Sequence, residues 1–194
     1  MRSLDQRKRK LIMKIARSHF KSSGYRGTSM SGIAAEAGLA VGTLYLYFPN
    51  KGELLKSTVE DFIEEHKTQI KNVLSSKGQV NKKLKTYLFG RFESVSEVRN
   101  NESRNSELDR KILELFPERR QEEGSLMVNT VTEILKSGAE SGYLTKVKNV
   151  SKEVLVFMHS IAWFFLPTEE FYDRPPSRRD LETVIDWFIE KWRG

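Results

Sequence analysis

The chain has 194 residues, no cysteine and a formal net charge of +7. That length suits one large domain or a small module fused to a medium one. The absence of cysteine excludes disulfides and thiolate metal sites and fits a reducing cytoplasm. Met1 to Asp5 carry no apolar signal-peptide core. The longest apolar-rich run, Val154 to Pro167, is 14 residues, too short to span a bilayer. A cytoplasmic protein with no membrane partner is expected, and nothing in the composition calls for a metal or a cofactor.

The charge is unevenly placed. Residues 1–52 hold ten Lys/Arg against two acids, a net of +8; the remainder holds 23 bases against 24 acids, a net of −1. All of the positive excess therefore lies in the first quarter, which points to a polyanionic partner there.

Helical spacing dominates and no strand-like alternation persists. Ser3 and Gln6 form a capping-box pattern for a first helix whose apolar face is Leu11/Ile12, Ile15/Ala16 and His19/Phe20, with Gly24 as its stop. Thr28 or Ser29 caps a short second helix through Ala37. Gly38 is the turn, and a third helix covers 41–48 before Pro49. Asn50 and Glu53 start a long fourth helix over 51–75. Further helices are expected over 80–100, 105–116, 118–141, 151–166 and 177–193, about nine in all, with a polar loop at 102–106 and a capping box at Ser177/Asp180. The boundary between modules is placed inside the fourth helix, giving an N-terminal domain of 1–55 and an all-helical domain of 56–194.

Ile33-Ala34, Ala37-Gly38-Leu39 and Leu44 have helix-turn-helix spacing. Ala34 allows close approach of the partner helix, Gly38 can adopt the positive φ of a sharp turn, and Ile33, Leu39 and Leu44 supply a small core. The block around them includes Phe20, Gly24-Tyr25, Thr28-Ser29-Met30, Gly42-Thr43-Leu44-Tyr45, Tyr47-Phe48, Asn50-Lys51 and Glu53-Leu54-Leu55. It closely resembles the DNA-binding domain of the TetR family of transcriptional regulators. The rest of the chain resembles that family's ligand-binding half in length and all-helical pattern.

The resemblance implies an all-α fold: a three-helix DNA-binding domain joined by a long helix to a helical bundle. It also implies a homodimer that lays its third helix in the major groove of double-stranded DNA. Carried over by position, the DNA-contacting residues are Ser29, Met30 and Ser31 in helix two, Val41, Gly42, Thr43, Tyr45 and Tyr47 in helix three, and Lys51 at the start of helix four. Their chemistry agrees. Thr43 suits a base edge, the tyrosines and Lys51 suit phosphates, and Ser29 sits at a helix N-terminus. Phe48 is expected to pack beneath the motif. Ala40 departs from the family pattern, which often has a hydroxyl residue there, and its methyl cannot cap helix three.

In the larger half, the last helix carries an apolar stripe through Leu181, Ile185, Phe188 and Trp192, and the helix before it is apolar almost all round. A homodimer interface is expected at Phe157, Ile161, Phe165, Ile185, Phe188 and Trp192. A small apolar effector is expected to meet Tyr87, Arg91, Phe92, Phe116, His159 and Trp163, although ordinary core is the plainer reading for each aromatic. The adjacent Glu169 and Glu170 lack the arrangement of a catalytic pair. No phosphate-binding glycine loop, nucleophile elbow or paired-histidine zinc helix is present. The expected function is thus a ligand-responsive repressor rather than an enzyme. A non-specific nucleic-acid or chromosome-coating protein is the alternative, followed by an enzyme without a local motif.

Overall fold

Asp5 begins the first helix, α1 (Gln6–Gly27), by accepting a hydrogen bond from the Arg7 amide. The expected Ser3 cap lies outside the residues that the structure, a computed structural model, describes: 5–99, 102–165 and 175–194. Gly24 breaks α1 at φ 69°, and helical residues resume to Gly27. Then follow α2 (Met30–Glu36), α3 (Val41–Tyr47) and α4 (Lys51–Ser75), the last begun by the Glu53 amide donating to Asn50 Oδ1 at 2.9 Å. Next come α5 (Val80–Arg99), α6 (Glu102–Leu115), α7 (Arg119–Glu140), α8 (Val150–Ile161) with a 3-10 turn at Ala162–Phe164, and α9 (Arg178–Arg193). Both bonds of the Ser177/Asp180 capping box are formed. The described residues contain no strand, and the fold is all-α.

One segment differs from expectation. Residues 102–106, read as a polar loop, are helical and form the start of α6. The sequence there has no apolar residue to reveal a period, but polarity does not oppose a helix. The Glu169–Glu170 pair and Pro167 lie outside the described residues. No described helix is long and apolar enough to cross a membrane.

The chain forms two packed units. The first comprises Met1–Lys67 together with Val98–Arg119; the second comprises Thr68–Glu97 with Arg120–Gly194. A boundary near residue 55 therefore does not describe the packing. Helix α4 continues as part of the first unit to Lys67, and α6 belongs to that unit too. The reason lies in α6 itself, where Leu108 and Ile112 are buried and Leu115 packs beside them in the core formed by α1, α2, α3 and α4. Glu107 pairs with Arg26 at 3.2 Å, and the Lys111 ammonium lies 5.9 Å above the Tyr25 ring.

The second unit has its own core, with Leu84, Leu88, Val131, Leu135, Phe157, Ile185 and Trp192 among its members. Glu153 on α8 accepts from the Trp192 indole N–H at 2.9 Å, and this bond, with Lys191 nearby, holds its carboxyl below the usual carboxylate range. Gly138 on α7 allows a close contact. A Cβ there would lie 2.7 Å from Val80 Cγ2 and 2.8 Å from Leu144 Cδ1. Gly138→Ala is expected to lower stability by about 1–3 kcal/mol, read as a lower melting temperature; an unchanged melt would show that this contact yields freely.

Candidate nucleic-acid interface

The turn between α2 and α3 is built from backbone hydrogen bonds. The Leu39 amide donates to Ala34 O at 2.9 Å and the Gly38 amide to Ala35 O at 3.1 Å, with Gly38 at φ 65°. This pair of bonds closes the C-terminus of α2, and a left-handed glycine is what it requires. Ser29 caps α2, its hydroxyl accepting from the Gly32 amide at 3.0 Å. Ala40 precedes α3 with no side-chain cap, as its methyl dictates. Ile33, Ala34, Leu44 and Phe48 are buried beneath the motif.

Burial divides α3 into two faces. Leu44 points inward, with Tyr47 partly packed on the same core. Val41, Gly42, Tyr45 and Leu46 point outward, at helical positions i, i+1, i+4 and i+5. A Cβ at Gly42 would meet nothing within 4 Å. Leu46 is 71% exposed, the most open large apolar side chain among the described residues, and was not among the expected contacts. Its signal in the sequence was available: with Leu44 fixed inward, Leu46 is two residues away and must turn out. Thr43 is half-buried, and Ser29 and Ser31 are exposed, with Ser31 Oγ donating to Ser29 Oγ at 3.3 Å.

Two expected contacts are placed differently. Met30 is 8% exposed and belongs to the core, because the first residue of α2 faces α1 rather than outward. Lys51 extends along its own domain. Its Nζ donates to Tyr25 O at 2.6 Å and to Thr28 O at 2.8 Å, and lies 4.5 Å above the Tyr25 ring. These carbonyls belong to the chain leaving α1, where a cation is favoured by the helix dipole. Two of the three ammonium donors are thereby used.

The basic surplus is also partly spent within the unit. Arg17 pairs with Asp61 at 3.1 Å and Glu65 at 2.6 Å; Arg9 donates to Ser57 Oγ at 3.0 Å and stacks over Phe48. Arg7, Lys8, Lys10 and Lys14 remain exposed on α1, three of them (7, 10 and 14) on one helical face.

The expected effector residues do not all come together. Tyr87 and Phe92 are buried in the second unit's core, with Arg91 half-buried on the same helix and Trp163 packed on that core. Phe116 packs in the first unit instead, and His159 is exposed. A groove of about 500 Å³ lies in the second unit, lined by residues such as Lys85, Phe89, Glu93 and Arg178. None of the six lines it. The expected dimer residues point inward as well. Phe157, Ile161, Ile185, Phe188 and Trp192 are buried in their own unit, and Phe165 is partly buried against it. The amphipathic stripe of α9 faces its own core, as such stripes do. The apolar side chains left outside on α8 and α9 are Leu155, Val156 and Trp187.

The family model for bacterial regulatory proteins of the tetR family matches residues 12–58, the segment containing α2, α3 and the start of α4. An uncharacterised HTH-type transcriptional regulator of Bacillus subtilis, YuxN, is 38% identical over 66 residues, which cover 34% of this chain and 23% of that protein. The fatty acid metabolism regulator protein of the same organism is 41% identical over 59 residues, 28% of this chain and 30% of that one. The chain thus matches less than a third of the length of these curated relatives. Solved structures extend the likeness of fold over nearly the whole chain. A transcriptional regulator from Cytophaga hutchinsonii superposes with a TM-score of 0.69 at 19% identity, covering 95% of this chain and 98% of its own. The fatty acid degradation regulator FadR from Bacillus halodurans gives 0.55 at 22%, covering 99% and 97%. The helix-turn-helix geometry and the match over residues 12–58 identify the N-terminal segment of this chain as a DNA-binding domain of the tetR type, on a fold that resembles solved TetR-family regulators over nearly its whole length.

Proposed function

We propose that the chain is a cytoplasmic repressor that binds an inverted-repeat operator as a homodimer and is released by a small, largely apolar effector. The outward face of α3 carries this reading. Val41, Gly42, Tyr45 and Leu46 stand clear of the core on a helix whose other side is locked by Leu44 and Phe48. Gly42 leaves room for close approach, Val41 and Leu46 suit thymine methyl groups, and the Tyr45 hydroxyl suits a phosphate or base edge. Ser29, Ser31 and Thr43 are the flanking polar contacts. Exposed Arg7, Lys8, Lys10 and Lys14 supply the non-specific attraction.

Leu155 and Val156 on α8 and Trp187 on α9 support the dimer, since large apolar side chains left exposed are candidates for an interaction surface. The effector reading draws on the aromatic-rich second unit and on the fatty acid regulators among the similar proteins. Both α4 and the chain around α6 run from one unit into the other, so either can carry a change in the spacing of two reading heads. Such coupling is typically about 1–3 kcal/mol.

Duplex affinity should fall steeply with salt as counterions are released. A Val41→Ala, Leu46→Ala variant should retain general duplex affinity and lose preference among sequences. Salt-independent binding, or a preference unchanged in that variant, would contradict the assignment of α3.

A further inference from the structure

The inward stripe of α5 runs Leu84, Tyr87/Leu88, Arg91/Phe92, at i, i+3/4 and i+7/8. Every large side chain on it is apolar or aromatic except Arg91, whose guanidinium is carried among core residues and whose side chain is only 13% exposed. Its pairing is poor for such a site. The nearest carboxylate, Glu123 on α7, is 3.7 Å from an Arg91 terminal nitrogen, beyond hydrogen-bond distance. Arg91 Nε is buried and makes no hydrogen bond; Arg17 Nε shares that state, but the Arg17 terminal nitrogens reach Asp61 and Glu65 within hydrogen-bond distance, whereas the Arg91 contact with Glu123 does not. More exposed arginines do better: Arg17 sits 2.6 Å from Glu65, Arg178 3.0 Å from Glu93 and Arg26 3.2 Å from Glu107. Physical chemistry favours the reverse order, because a buried charge suffers most from an incomplete partner.

The neighbourhood suggests what completes it. Tyr87, one turn before Arg91, is 4% exposed and faces Thr130 on α7; burial raises its phenol above the ordinary value, with Thr130 pulling part of the way back. Tyr87 is thus a neutral hydroxyl able to donate. Around these groups lie Leu88, Phe92, Met127, Val131 and Phe164, all in one apolar cluster. The Glu123 side chain is 30% exposed.

We propose that Arg91 recognises the carboxylate head of an amphipathic effector whose apolar body lies in the second unit, with the ligand taking the place of Glu123. This rests on the effector reading above and deepens it: the molecule is an anion with a hydrocarbon body rather than a wholly apolar one. The Arg91 fork matches a carboxylate in two parallel hydrogen bonds of about 2.7–2.9 Å, tighter than its present contact. Replacing Glu123 breaks the Arg91–Glu123 tie between α5 and α7, so head-group binding alters the packing of two helices in this unit.

The test uses the full-length protein and three probes of equal chain length below their micelle range: decanoate, decan-1-ol and decylammonium. Binding is followed by calorimetry for the wild type, Arg91→Met and Glu123→Gln. The wild type should prefer decanoate over the alcohol by about tenfold or more, as for a charge-assisted hydrogen bond, and should bind decylammonium least. Arg91→Met should lose that preference while still binding decan-1-ol, which shows that the apolar site has folded. Glu123→Gln, with the competing carboxylate removed, should bind decanoate more tightly. Equal binding of acid and alcohol by the wild type, or a preference that survives Arg91→Met, overturns the role of Arg91 and leaves an apolar effector site standing. Failure of all three probes to bind the wild type overturns both. Should Arg91→Met not fold, the wild-type preference and the Glu123→Gln response decide the matter alone.

Discussion

Replacing Lys51 by methionine is expected to weaken DNA binding without changing its salt dependence. The ammonium is held by Tyr25 O and Thr28 O at 2.6 and 2.8 Å, joining the start of α4 to the end of α1. Hydrogen bonds to a charged group are worth about 1.5–3 kcal/mol each when a partner is lost in a protected site. Methionine keeps the length of the side chain and abandons both carbonyls. Because Lys51 is only half-buried, water recovers part of this, and the unit carrying α3 should melt earlier by the equivalent of about 2 kcal/mol, less than the sum of two such bonds. DNA affinity should fall because the helix-turn-helix is less firmly held. If Lys51 instead neutralised a phosphate, the slope of log affinity against log salt would drop by about 0.9. A reduced slope with an unchanged melt would assign Lys51 to DNA and contradict its role as a clamp.

A second large effect separates two tryptophans of α9. Trp192 is 1% exposed, packs edge-on against Phe157 at 5.4 Å, and donates to Glu153. Trp192→Ala should cost about 3–5 kcal/mol through the cavity it leaves, with Glu153 left unpaired besides. Trp187, five residues earlier, is 59% exposed and touches Phe188 across its edge. Trp187→Glu should leave the melting of a protomer almost unaltered and shift the sedimenting mass from about twice 22.5 kDa to that of one chain. A dimer that survives Trp187→Glu together with Leu155→Glu would place the interface elsewhere. A monomeric wild type would remove it.

These two positions also show what the sequence made legible. The apolar period of α9 identified Leu181, Ile185, Phe188 and Trp192 as one face, which they are. It did not say whether that face meets the chain's own core or a second copy, because an amphipathic stripe has the same period in either setting. The same limit explains α6. Its Leu108 and Ile112 were readable as helical, but no local feature assigned them to the first unit, since that depends on contacts with residues some ninety positions away.

The helix-turn-helix was far more legible, because its determinants are local. Gly38 needed a left-handed conformation, Ser29 an amide three residues ahead, and Ala34 a close neighbour; all three follow from spacings of a few residues. Where a long side chain chose between two destinations, spacing failed. Lys51 could reach outward or back to α1, and Met30 could face the groove or the core. The outcome for each was settled by backbone carbonyls and apolar area brought near by the fold.

The central claim, that the outward face of α3 reads a specific duplex, is tested most directly by selecting bound DNA from a pool of random duplexes and sequencing it. The account predicts an inverted repeat whose half-sites lie on one side of the helix, about one turn or a multiple of it apart. It also predicts that the half-site consensus changes in the Val41→Ala, Leu46→Ala variant. Recovery of duplexes with no common sequence, bound as tightly as any others, would instead describe a protein that coats nucleic acid and would contradict the account.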